Sequence, residues 1–309
     1  MKRASRLLGA VLVAASLAYL VFFAVRHAQS LPEIRWNARA VAGSGAAVAL
    51  YGLTLISSAS AWHLLLRSAG ERPRLRPVAA IFLLSQIGKY LPGNFAHYVG
   101  RVALAKEQGL GPGPVLLTLA VEAACAILAG IAVTAAAFPG PQNAPGPAGP
   151  RHAAAALLAV GGVALASRLV DSPRVRAWAR FPAPAPPASR GRRGLLWLAC
   201  LGLYAFNFFA FGACAALLAQ TVLGAAPASW PALAAVMAAA WVAGFVTPGA
   251  PAGLGIREAI LLAGLRPLYG PGVALSLPLL FRLVTTLGDA LGCGAGYLLR
   301  RRAAGPEEV

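Results

Sequence analysis

The sequence predicts an all-α, polytopic helical membrane protein with about six spans and two opposed re-entrant hairpins. Three observations carry that expectation. The composition is 59% hydrophobic and 12% charged, with a mean hydropathy of +0.69, outside the range of an ordinary soluble domain. Apolar stretches near the ~20 residues needed to cross a bilayer recur along the chain. Two polar, Pro- and Gly-broken segments, 86–94 and 247–258, interrupt this background, one in each half. Broken backbone at membrane depth is tolerated only where it lines a cavity walled by protein.

The first apolar stretch, 7–25, follows Lys2, Arg3 and Arg6. It is longer than the apolar core of a signal peptide, and no small-x-small cleavage site precedes Arg26-His27, so it reads as a retained anchor. Further spans are expected at 41–66, 114–138, 153–170, 194–223 and 272–299. Residues 1–302 then form a single transmembrane domain, with 303–309 as a short cytoplasmic tail. Arginine clusters after the second span, along the connector 168–193 and at Arg300 to Arg302 mark the cytoplasmic face, together with the basic N-terminus. Both termini are then cytoplasmic. With these sides fixed, segment 78–100 enters and leaves from the cytoplasm, and segment 231–268 enters and leaves from outside. The halves 1–138 and 153–302 become an inverted-topology repeat, as in many secondary transporters. The alternative is eight or more full spans without symmetry.

The net charge of +18 would point to nucleic acid in a soluble protein. Here it is distributed by the sidedness of the loops, and no nucleic-acid partner is expected. Cys125, Cys200, Cys214 and Cys293 all fall in expected spans without a CxxC or Cys–His cluster, so they read as packing residues rather than disulfide or metal ligands. The nine acidic residues are scattered. No DxD pair and no serine–histidine constellation is present, which argues against an enzyme of phosphoryl or glycosyl transfer. No cofactor or metal is expected.

In the first broken segment, Asn94 follows the Pro92-Gly93 turn and is suited to cap the returning helix. Exposed amides at such a helix start attract phosphate or carboxylate. Lys89, one of three lysines in the chain, and Arg101 flank the cap. Both are candidates for holding an anionic head group; otherwise Lys89 snorkels to the surface and Arg101 marks an interface. His97, on the returning limb, is a candidate proton relay or a hydrogen-bonded structural residue. The second broken segment contributes Pro248, Gly249, Gly253 and Gly255, which cannot continue a helix, followed by Arg257 and Glu258 at the next helix start. Arg257 is a candidate for an anionic lipid group. Glu258 either complements the helix dipole or balances charge. Glu122, Arg282 and Asp289 lie inside spans, where charge is costly and defaults to a functional hypothesis. Arg282 and Asp289 are two turns apart on one helix, too far for a direct pair, and Arg282 has Glu122 or Glu258 as partner across helices.

At these same residues the chain resembles a known family. Gly88-Lys89-Tyr90-Leu91-Pro92-Gly93-Asn94, continuing through Tyr98-Val99-Gly100-Arg101 to Ala105-Lys106, is similar to its first signature. Residues Thr247 to Glu258, with Phe281-Arg282-Leu283, are similar to its second. The family is the lysylphosphatidylglycerol synthase transmembrane region, also called flippase-like integral membrane proteins, and the likeness spans about residues 5–302. The resemblance implies a polytopic protein of the bacterial inner membrane. In the full-length synthases the corresponding region moves aminoacylated phosphatidylglycerol between leaflets, beside a cytosolic aminoacyl-transferase domain. That domain has no counterpart before Val309, so lipid aminoacylation by this chain alone is not expected. The leading expectation is a flippase or transporter of an anionic, aminoacylated or polyprenyl-phosphate-linked lipid. The competing one is a non-transporting membrane partner of a separate synthase or glycosyltransferase.

Overall fold

The computed structural model describes residues 36–90, 96–137, 188–247 and 256–304, with isolated positions between 25 and 34 and between 154 and 168. Every described element is helical: α1 (Ala38–Ser68), α2 (Leu75–Ser85), a 3-10 turn (Gln86–Tyr90), α3 (Ala96–Glu107), α4 (Pro112–Ala137), α5 (Arg190–Thr221), α6 (Trp230–Val246) and α7 (Ile256–Ala304). The protein is a polytopic helical membrane protein. Four helices, α1, α4, α5 and α7, are long and apolar enough to cross a bilayer. They correspond to the spans expected at 41–66, 114–138, 194–223 and 272–299, with α5 ending at Thr221, two residues before the expected bound. Described positions within 153–170 are helical, while the stretch 7–24 lies outside the described residues.

Local chemistry sets the helix ends. The Asn37 side chain accepts from the Ala40 amide at 2.9 Å and caps α1. Beyond the other end of α1, the buried carboxylate of Glu71 accepts from the Gly111 amide at 3.1 Å, just before α4. One loop therefore serves two helices.

The described residues on either side of both broken segments are helical. At 1.5 Å per residue, α2 and α3 are each under about 20 Å long, too short to cross an apolar layer of about 30 Å alone. The two limbs lie close: a Cβ on Gly88 would sit 2.6 Å from the His97 backbone nitrogen. In the second segment α6 is followed by α7, whose backbone breaks at Gly270 with φ 76° and ψ 175°. Glycine is suited to that conformation because it carries no Cβ. The arm before the break, from Ile256, spans about 20 Å; the crossing arm follows it. The break falls between the expected segments 231–268 and 272–299.

The helices share a continuous apolar interior. Trp62, Leu66, Phe82, Leu218, Leu233 and Phe281 belong to one buried cluster joining α1, α2, α5, α6 and α7. Trp197, Phe208 and Ala129 belong to a second between α1, α4, α5 and α6. Polar ties cross it: Trp197 Nε1 donates to Ser68 Oγ at 3.0 Å, Asn207 Nδ2 to Ser58 Oγ at 2.9 Å, and Trp62 Nε1 to Thr118 Oγ1 at 3.2 Å. Such bonds add specificity where the surroundings offer no hydrophobic driving force between helices. Cys125, Cys200 and Cys214 are buried, Cys293 is half-buried, and all four are free thiols.

Candidate functional site

Helices from both halves surround a cavity of about 280 Å³. Its charged lining comes from the residues that stood out in an apolar sequence: Lys89, His97, Arg101, Glu122, Arg257 and Arg282. The 3-10 turn supplies Lys89 and α3 supplies His97 and Arg101. Glu122 comes from α4, while Arg257 and Arg282 come from the two arms of α7. Aromatic side chains of α5 and α6, among them Phe208, Phe211, Trp241 and Phe245, form much of the remaining wall.

Three ion pairs organise this charge. Lys89 Nζ meets Asp289 Oδ2 at 2.5 Å, and the aspartate is 1% exposed. Tyr51 accepts from Lys89 at 3.0 Å and donates to Asp289 Oδ1 at 2.9 Å, while Tyr90 donates to Asp289 Oδ2 at 2.5 Å. The carboxylate therefore has three donors. Arg101 Nη1 lies 2.5 Å from Glu122 Oε2, with both side chains buried, and Tyr204 donates to Glu122 Oε1 at 2.6 Å. The Arg101 guanidinium also lies over the rings of Phe82, at 4.4 Å, and Trp62, at 5.0 Å, a favourable cation–π arrangement. Arg282 pairs with Glu258 across the Gly270 break.

Arg257 differs from the other three cations. It lines the cavity and makes no hydrogen bond or ion pair among the described residues. Two deeply buried polar atoms on residues lining the same cavity also lack partners there: Arg101 Nε, a donor, and Asn207 Oδ1, an acceptor. Buried polar groups without partners are uncommon. His97 Nδ1 is a third such atom.

These positions refine the sequence reading. Lys89 does not extend to a surface as an unpaired snorkelling side chain but ends on Asp289. Arg101 is 2% exposed and sits inside the bundle. Of the two partners weighed for Arg282, the structure has Glu258; Glu122 goes to Arg101. His97 contacts the Tyr98 ring at 3.9 Å between centroids, and its Nδ1 has no hydrogen bond among the described residues, so a hydrogen-bonded role through that atom is not observed. Pro92, Gly93, Asn94, Pro248, Gly249, Gly253 and Gly255 lie outside the described residues.

Sequence reasoning assigned no site role to the tyrosines, though Tyr90 and Tyr98 fall within the first signature. Tyr51, Tyr90, Tyr98 and Tyr204 line the cavity, four of only seven in the chain. Two of them, Tyr51 and Tyr204, stand in the interior of long apolar helices. A phenol at that depth requires a partner when buried, and that requirement was the available signal. Among the described residues no cluster of three or more potential metal ligands occurs.

The family model described as the lysylphosphatidylglycerol synthase TM region matches residues 6–292. No curated protein matches the chain.

Proposed function

Because the chain belongs to the lysylphosphatidylglycerol synthase TM-region family, an integral membrane family linked to lipid handling, we propose that it moves a lipid with an anionic head group between leaflets. One observation carries the reading. Basic side chains from both broken segments, Lys89 and Arg257 foremost, face a single cavity inside an otherwise apolar bundle. The head group enters that cavity while the acyl tails stay in the surrounding lipid. The ion pairs lower the cost of holding cations there, and the aromatic walls keep bulk water out. The two broken segments act as gates on opposite faces, in keeping with the inverted repeat expected from the halves 1–138 and 153–302. The protein acts as a transporter and not as an enzyme, in a bacterial inner membrane with both termini cytoplasmic.

The test is reconstitution of the full chain into phosphatidylcholine vesicles carrying a chain-labelled fluorescent phosphatidylglycerol, followed by external reduction with dithionite. Accelerated loss of the inner-leaflet signal is expected, and its loss in the Lys89→Ala, Arg257→Ala double variant. A rate equal to that of protein-free vesicles, or one unchanged in the double variant, would overturn the reading. The non-transporting partner of a separate synthase would then be the better account.

A further inference from the structure

We infer that Asp289 is a proton-binding site whose alternative occupants are a proton and the Lys89 ammonium, and that their exchange couples lipid movement to a proton gradient. This rests on the transport reading above and goes beyond it by naming the driving ion and the residue that takes it.

Position, cation type and bridging set this pair apart from the two others at the cavity. Asp289 stands on the crossing arm of α7 and is 1% exposed, whereas the Lys89 side chain is 25% exposed. Tyr51, Lys89 and Tyr90 line the cavity and Asp289 does not. Its hydrogen bonds among the described residues run to those three groups. Arg101 and Arg282 grip their carboxylates with a guanidinium, which keeps its proton and presents a rigid fork; Lys89 is a compact point charge on a flexible stem. Lys89 also belongs to the 3-10 turn that leads into the first broken segment, so it can withdraw into the cavity while a carboxylate on a long helix stays behind. The Tyr51 hydroxyl joins the two, accepting from Lys89 at 3.0 Å and donating to Asp289 Oδ1 at 2.9 Å. A pair that only tied the broken segment to α7 would need neither a lysine nor a bridging phenol.

The two occupants exclude each other. When Lys89 leaves, Asp289 is a buried anion without its partner, which is costly, and a proton removes that cost. With Lys89 in place, a proton on Asp289 would leave the ammonium uncompensated instead. The bridge supplies the path. The Tyr51 oxygen, vacated by Lys89, takes a proton from cavity water as its own proton passes to Asp289 Oδ1. The phenol is restored, the carboxylate becomes a carboxylic acid, and Lys89 keeps its charge. Return of Lys89 reverses the exchange and sends one proton back to the cavity. Carboxylates at membrane depth serve as proton relays in pumps and transporters. The other charged or titratable groups facing the cluster are Arg257 and Arg282 of α7, which stay protonated, and His97 of α3, which bears on Lys89. From α2 and α5 the contacts are Leu83 and Phe211, which do not titrate, and α6 holds no titratable residue.

Proton uptake frees Lys89 for the head group, so proton and lipid move together towards the alkaline side. The experiment uses the full chain in phosphatidylcholine vesicles carrying the chain-labelled fluorescent phosphatidylglycerol. The lumen is made acidic, the membrane potential is held at zero with potassium and valinomycin, and protein-free vesicles set the baseline. A gradient of about one pH unit should enrich the probe in the outer leaflet by up to about tenfold for one coupled proton. The amplitude of the fast phase of dithionite reduction reads that ratio, and equal pH on both sides should leave the leaflets even. Asp289→Asn holds the neutral form and should leave them even under the gradient as well. If Asp289→Asn does not assemble, Asp289→Glu decides: it displaces the carboxyl from Tyr51 and Tyr90 by one methylene, and should slow the approach to enrichment without changing its extent. Even leaflets in wild type under the gradient, enrichment on the acidic side, enrichment that survives Asp289→Asn, or an unslowed Asp289→Glu would overturn the inference. Failure of the two readings is separable: a probe that equilibrates evenly under the gradient refutes proton coupling alone, whereas a probe that does not cross refutes transport and the coupling with it.

Discussion

Replacement of Glu122 by glutamine removes one charge and almost no volume from the middle of the bundle. Glu122 pairs with Arg101 at 2.5 Å, and their side chains are 7% and 2% exposed. Their charge centres are about 4 Å apart, where two unit charges attract by about 4 kcal/mol at an effective dielectric constant of about 20. Breaking a buried pair by removing one partner typically costs about 3–5 kcal/mol, because the remaining charge stays buried without compensation. Two contributions survive in the variant. Tyr204, which donates to Glu122 Oε1, can still donate to the amide oxygen, and the Arg101 guanidinium keeps the Phe82 and Trp62 rings, about 0.5–2 kcal/mol each. The expected loss for Glu122→Gln is therefore about 3 kcal/mol. Unfolding by increasing dodecyl sulfate in mixed micelles, followed by tryptophan fluorescence, reports it as an earlier midpoint. The double variant Arg101→Met, Glu122→Leu should regain part of the loss, since a well-packed apolar pair often replaces a buried ion pair without penalty, offset by the Tyr204 hydroxyl that loses its acceptor. If Glu122→Gln unfolded with wild type, or the double variant fell further than the single, the assignment of Arg101 and Glu122 as a mutually compensating buried pair would be refuted.

Other expectations follow from contacts of different kinds. Gly88→Ala should destabilise by about 1–3 kcal/mol in the same assay, because the new methyl meets the backbone of His97, which cannot rotate away. Arg300→Ala should change stability by less than about 1 kcal/mol, since its pair with Glu107 lies at the surface with both partners about half exposed. Tyr51→Phe removes a hydroxyl that bonds both Lys89 and Asp289, and should lower stability by about 1–3 kcal/mol while leaving the Lys89–Asp289 pair in place. A pH effect is expected at Glu71, which lies outside the crossing helices. Burial pushes its carboxyl up from the usual range, against the smaller downward pull of the Gly111 amide. A raised acid binds its proton more tightly when folded, so its stabilising contribution is present at low pH and is lost as pH rises through the folded value. The stability of Glu71→Gln relative to wild type should therefore be more favourable at neutral pH than at about pH 4, and an unchanging difference would contradict the assignment.

Much of the architecture could be read directly because a long apolar run inside a bilayer has few alternatives to a helix. The span expected at 41–66 is α1, and that at 194–223 is α5; α5 begins earlier, at Arg190, because its charged first turn is helical without being apolar. The break before the last span, at Gly270 and Pro271, falls in the gap between the expected segments 231–268 and 272–299 but was not singled out in the sequence. The charged residues of the cavity were legible as anomalies, as Lys89, Arg101, Glu122, Arg257 and Arg282 are each costly where they stand. Their pairing was not. Lys89 and Asp289 are separated by most of the chain, and no periodicity encodes which carboxylate a lysine meets once helices pack. Arg101 also depended on its ring contacts, which exist only after α1, α2 and α3 assemble. The tyrosines were overlooked because Tyr51 and Tyr204 count as apolar in a hydropathy profile, whereas their hydroxyls carry the contacts that matter here.

The last helix has a part that a list of its contacts does not convey. Arg282 and Asp289 stand on one uninterrupted arm of α7, two turns and about 10 Å apart along its axis. One grips the second broken segment through Glu258 and the other grips the first through Lys89. On the transport reading proposed above, the helix is a common axle between two gates. A displacement of this axle that releases one latch acts on the other as well. To the extent that a ligand in the cavity loosens Lys89 from Asp289, thermodynamic reciprocity requires that the state of that latch alter ligand affinity by the same factor. Opening on one face and closure on the other then need no messenger beyond a single rigid rod.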